Sequence, residues 1–97
     1  MARYVVLIDW TDQGVRNAAD SVNRARQAEE AFRPLGIEVE TLYWTLGSHD
    51  LVATLTAPDG ETLATALLRL AGGGNVRTTT LRAFDEAEFG AILGRLG

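Results

Sequence analysis

No cysteine occurs among the 97 residues, which excludes disulfides, thiolate metal sites and a cysteine nucleophile. Lysine is missing as well: all nine basic residues are arginines, scattered among thirteen carboxylates for a net charge of −4. Nucleic-acid affinity comes from clustered cations that displace counterions from phosphates, so this balance argues against a nucleic-acid partner. There is one histidine, and no spacing of His with carboxylates that would hold a metal, so no metal site is expected and no motif names a cofactor. No apolar run approaches the roughly 20 residues needed to cross a bilayer. Met1-Ala2-Arg3-Tyr4 leads straight into an apolar stretch without the n-region, h-region and cleavage site of a secretory leader. The expectation is a cytoplasmic protein without membrane contact.

What is present is ordinary for a folded domain, with 46% hydrophobic and 23% charged residues. Residues 1–97 have room for a single domain. A chain this short buries only roughly 60–65% of its unfolded surface, so its core is thin and self-association is favoured.

Tyr4 to Ile8 is an unbroken apolar, β-branched run, the mark of a strand buried on both faces and central in its sheet; Trp10, Thr11 and Asp12 follow as a connector. From about Asn17 the period changes. Ala18, Val22, Ala25, Ala28, Phe32 and Leu35 recur at helical steps and form one apolar stripe. Asp20/Arg24, Arg26/Glu30 and Glu29/Arg33 lie at i,i+4 on the opposite, solvated face. Pro34 and Gly36 end the helix.

Ile37 to Leu46 alternates as a strand, with Ile37, Val39, Thr41, Tyr43 and Thr45 on one side and Glu38, Glu40, Leu42, Trp44 and Leu46 on the other. Its two glutamates suit a sheet edge. Gly47-Ser48-His49-Asp50 is a turn and Leu51 to Ala57 the returning strand of a hairpin. Asp59 caps a second helix that ends at Gly72-Gly73-Gly74, and Leu63, Leu67, Leu68 and Leu70 leave it apolar nearly all round. Asn75 to Ala83 is a threonine-rich fourth strand. Asp85 with Glu88 forms a capping box and Phe84 with Phe89 a hydrophobic staple for a short last helix carrying Phe89, Ile92, Leu93 and Leu96.

The order β-α-β-β-α-β-α predicts an α+β fold, a ferredoxin-like βαββαβ sandwich with a C-terminal helix and strand order 4-1-3-2. Helices then cover one sheet face. The other is left open, and stacking two sheets across a dimer axis would bury it. A homodimer, or a multiple of dimers, is the expected partner state.

This topology gathers Trp10, Asp12, Gln13, Trp44, His49, Asp50, Asn75 and Arg77 at one edge of the sheet. Two indoles, an imidazole and a guanidinium beside glycine-rich connectors make a concavity of the kind that binds small molecules, and Trp10, Gln13, Trp44, His49 and Arg77 are the candidate ligand-binding residues. The alternative is that Trp10 and Trp44 are core or interface packing, with their indole N–H groups satisfied locally. His49 and Asp50 are the candidate catalytic pair, an imidazole beside a carboxylate; the alternative is an exposed turn in which Asp50 bonds backbone amides. Gly72-Gly73-Gly74-Asn75 follows a helix and precedes a strand, the reverse of a phosphate loop.

Leu42-Tyr43-Trp44-Thr45-Leu46-Gly47-Ser48-His49-Asp50, preceded by Trp10-Thr11-Asp12-Gln13-Gly14 and followed by Asn75-Val76-Arg77-Thr78 and Leu81-Arg82-Ala83-Phe84, resembles the GYD domain family over nearly the whole chain. Gly47 and Asp50 fill the first and last places of the Gly, Tyr, Asp signature, and His49 stands where the tyrosine would be. The resemblance implies a ferredoxin-like domain similar to the dimeric α/β-barrel proteins, a group that includes cofactor-independent oxygenases, haem-degrading enzymes, isomerases and ligand-sensing regulators. It carries over no catalytic residue. Three functions follow as expectations. The first is a small-ligand-binding homo-oligomer with its pocket at the sheet edge. The second is an enzyme acting on an aromatic or carbonyl metabolite, with His49 as acid–base group, Asp50 orienting it and Arg77 holding an anion. The third is a structural or interaction module without a ligand.

Overall fold

The computed structural model describes residues 1–97. Its four strands, β1 (Ala2–Trp10), β2 (Glu38–Trp44), β3 (Leu51–Ala57) and β4 (Val76–Ala83), form one antiparallel sheet in the order β2-β3-β1-β4. This is the predicted strand order. β1 is central, and the two polar strands, glutamate-bearing β2 and threonine-rich β4, take the edges, where half of their backbone groups reach water.

Two helices, α2 (Ser21–Phe32) and α3 (Gly60–Gly72), connect the strands of the two crossovers. β3 alternates strictly: Leu51, Ala53, Leu55 and Ala57 are buried and the residues between them half-buried. Val6, Phe32, Ile37, Leu55, Ala57, Leu63 and Ala66 form the core, with Tyr4 and Ile8 packed at its margin. Each large member contributes about 1.5–3 kcal/mol by leaving water. The opposite face carries Arg3, Val5, Leu7 and Asp9 of β1 beside Val52, Thr54 and Thr56 of β3, and no helix covers it. β1 is therefore central as predicted, yet within one chain only Val6 of its apolar run is buried.

The first crossover differs from the single helix expected after Asn17. Thr11 accepts the Gly14 amide through its hydroxyl and caps a five-residue helix, α1 (Asp12–Arg16); a 3₁₀ turn (Ala18–Asp20) follows, and only then α2. Trp10 is thus the last residue of β1 rather than a connector. Dividing the crossover rotates the apolar stripe: Val22 is exposed, while Ser21 and Arg24 turn towards the sheet. Arg24 gives Nη1 to the Asn17 carbonyl at 2.6 Å, so it does not serve the expected pair with Asp20.

β2 also departs from simple alternation. Its register against β3 shifts between Val39 and Thr41, a bulge that lets Val39, Leu42 and Trp44 share the helix side while Thr41 and Tyr43 share the open side with Thr54 and Val52. One inserted residue reverses the faces expected for everything after Glu40.

The last helix, α4 (Glu86–Leu93), has the predicted capping box, Asp85 accepting from the Glu88 amide at 2.8 Å and Glu88 from the Asp85 amide at 3.0 Å. Phe84 and Phe89 meet with ring centroids 6.5 Å apart. The Arg82 guanidinium lies over both Phe84 and Tyr4, and Arg3 joins Glu40 at 2.9 Å to Asp85 and Glu88 at 3.8 and 3.7 Å. These contacts fix where α4 begins. Its apolar residues Phe89, Leu93 and Leu96 remain about half exposed or more.

Candidate functional site

The residues predicted to share one sheet edge do lie at one end of the sheet, but the sheet divides them. Trp10 and Trp44 are on the helix side. Trp10 pairs with Val76 in the β1–β4 register, and the Trp44 indole Nε1 donates to Ser21 Oγ of α2 at 3.0 Å. His49 and Arg77 are on the open side, because both adjoin Asp9, which alternates with Val5 and Leu7: His49 Nδ1 lies 3.0 Å from Asp9 Oδ1, and Arg77 stands opposite Asp9 in the β1–β4 register.

The carboxylate beside His49 is thus Asp9 and not Asp50. Asp50 is taken up by backbone: its Oδ2 accepts the Trp10 amide at 2.9 Å, its own amide donates to the Ile8 carbonyl at 2.9 Å, and its carbonyl accepts from the Thr45 amide at 2.8 Å. Thr45 Oγ1 closes the turn by donating to the His49 carbonyl at 2.6 Å. Asp50 therefore holds the hairpin turn against the end of β1. The His49–Asp9 pair, each about one-third exposed, places an imidazole and a carboxylate together in reach of solvent.

Gln13 and Asn75 build a third cluster at the same end. Gln13 Nε2 donates to the Gly73 carbonyl at 3.0 Å and to Asn75 Oδ1 at 3.1 Å, and Asn17 Nδ2 approaches that same oxygen at 3.4 Å. Thr11 donates its amide to the Asn75 carbonyl and its hydroxyl to the Gly74 carbonyl. Gly14 completes the seam: a Cβ there would stand 2.0 Å from the Asn75 carbonyl oxygen. The glycine-rich stretch after α3 is thus bound by α1 and turned inward on the chain itself.

An apolar concavity lies elsewhere, in the layer between α2, α3 and the sheet. It is a cavity of about 110 Å³ bounded chiefly by apolar side chains, among them Val6, Ala25, Ala28, Leu51 and Leu67. Of the predicted ligand-binding set only Trp10 reaches it. Arg24 and Ser21 also line it, and neither stood out in the sequence, where Arg24 reads as part of a charged helix face. Asp9 was legible in principle, as a carboxylate ending an otherwise apolar strand. No three His, Asp or Glu side chains converge as a metal-binding group, and no helix is long and apolar enough to cross a membrane.

The family model for the GYD domain matches residues 4–93. This chain belongs to the GYD domain family. One relative within reach of the whole chain is a protein of Thermus thermophilus named "Glutamine synthetase and cystathionine beta-lyase binding protein", 35% identical over 94 residues that span 96% of this chain and 99% of the relative. In this GYD domain the Gly-Ser-His-Asp turn divides its work: Asp50 anchors the turn to β1, and His49 projects to the open face with Asp9.

Proposed function

We propose that this GYD domain is a protein-interaction module that self-associates through the open face of its sheet and docks onto enzymes of amino-acid metabolism. The observation that carries the reading is the number of large apolar side chains left in water. Tyr43 and Leu81 lie on the open face, and beyond β4 follow Phe84, Phe89, Leu93 and Leu96. Monomeric soluble proteins seldom leave such a surface uncovered, and two sheets stacked about a two-fold axis would cover the first part of it. The relative's name supplies the partner class, and the likeness runs over 96% of this chain and 99% of the relative. A cytoplasmic location belongs to the same reading, since metabolic enzymes are the proposed partners.

The test uses glutamine synthetase and cystathionine β-lyase from the same organism, each immobilised and titrated with the purified domain. Saturable binding to at least one, lost on Phe89→Asp or Leu93→Asp with the fold retained by circular dichroism, is the expected result. If neither enzyme retains the domain at about 100 µM, the interaction reading fails.

A further inference from the structure

The cavity beneath α2 has a chemistry that docking onto an enzyme does not use. Its walls are mostly aliphatic, with Val6, Leu51, Leu67 and Leu70 from the sheet and α3 and Ala25 and Ala28 from α2. The two alanines are where a larger residue would have filled the space. At one wall stands Arg24. Its Nη1 is satisfied by the Asn17 carbonyl at 2.6 Å, while its Nη2 is shut off from water and has no acceptor. Buried donors are almost always paired, and a guanidinium keeps its charge in such a place. A cation with an idle donor beside an apolar hollow has the two halves of a site for an amphipathic anion. Glu29, further along α2 towards Phe32, also lines the cavity. Its charge disfavours an anion at that end and so sets the orientation.

We propose that this cavity binds a small monocarboxylate, with the carboxylate on the Arg24 guanidinium and a compact apolar body between Ala25, Ala28 and the sheet. Size follows from volume: an engineered apolar cavity of about 150 Å³ accepts benzene, so a space of 110 Å³ suits a short branched chain or one ring after slight opening of α2. The planar guanidinium can grip both carboxylate oxygens, which separates an acid from its amide. The site lies on the opposite side of the sheet from the proposed self-association face, so its occupancy stands independently of that reading.

The experiment titrates the full chain with benzoate and with isovalerate by calorimetry and saturation-transfer NMR, with benzamide and isovaleramide as neutral matches. Saturable binding of at least one acid with a dissociation constant of about 1 mM or tighter, at least about tenfold stronger than its amide, is expected. Arg24→Gln should abolish that preference, and Ala25→Leu should displace acid and amide alike by filling the hollow. The comparison of acid with amide needs no variant, so a poorly folding Arg24→Gln protein leaves the test intact. Absence of saturation by either acid up to about 10 mM, or equal affinity for acid and amide, would overturn the proposal.

Discussion

The carboxylate of Asp50 accepts the backbone amide of Trp10 at 2.9 Å across forty residues of sequence, tying the β2–β3 turn to the end of the central strand. His49, its neighbour, makes no such backbone bond through its side chain and reaches Asp9 on the open face. The two positions should therefore respond differently to truncation. Asp50→Ala leaves the Trp10 amide without its acceptor and should cost about 1–2 kcal/mol, with Asp50→Asn recovering part of it. His49→Ala should stay within about 0.5 kcal/mol. Urea unfolding followed by circular dichroism reads both, and equal losses at the two positions would contradict this division.

Two glycines should fail for different reasons. At Gly14 a methyl group collides with the Asn75 carbonyl oxygen and crowds Trp10 Cβ, so Gly14→Ala should cost about 2–3 kcal/mol or prevent folding. At Gly47 the space is open but φ is +111°, and Gly47→Ala should cost about 1 kcal/mol through backbone strain alone. Thermal melts of the two variants should rank in that order.

Acid should weaken the fold through two exposed carboxylates. The hydrogen bond and charge of Arg3 hold Glu40 below the usual carboxylate range, and the Thr62 backbone amide does the same for Asp59 at the start of α3. A group whose folded value lies below its unfolded value stabilises above the unfolded value, about 4 for these side chains, and that contribution disappears as pH falls through the lowered value. The urea midpoint should therefore hold from neutral pH to about 5 and decline below about 4. Glu40→Gln together with Asp59→Asn should flatten that decline. Added salt should mimic the Glu40 change more than the Asp59 change, because an exposed ion pair is screened and a cap hydrogen bond is not.

Self-association is open to a direct measurement. Sedimentation equilibrium at about 10 µM should return twice 10.5 kDa or a multiple of it. Leu81→Glu and Tyr43→Glu place charge on the open face away from the core and should shift the mass towards the monomer without lowering helix content. A clean monomer for the unaltered chain would remove the sheet-stacking interface.

The sequence by itself determined the features whose causes are local. Asp85 and Glu88 three residues apart have the capping-box spacing and form that box at the start of α4, Asp59 caps α3 by reaching the Thr62 amide, and the change from strand to helix period predicts the βαββαβ order and with it the strand order of the sheet. Tertiary structure decided what depends on register. A bulge near Glu40 cannot be read from an alternating pattern, because one extra residue costs the strand little locally, yet it carries Leu42 and Trp44 to the helix side. The partner of His49 was likewise a tertiary matter: Asp50 is adjacent in sequence, but the fold offers it the Trp10 amide, and the imidazole meets Asp9 instead. Arg24 shows the same limit from the other direction. Its neighbours suggest a solvated helix face, and only the break between α1 and α2 turns it towards the sheet. A pleated sheet sends successive side chains to opposite sides, so residues gathered at one end of a sheet share a site only where the register brings them to one face.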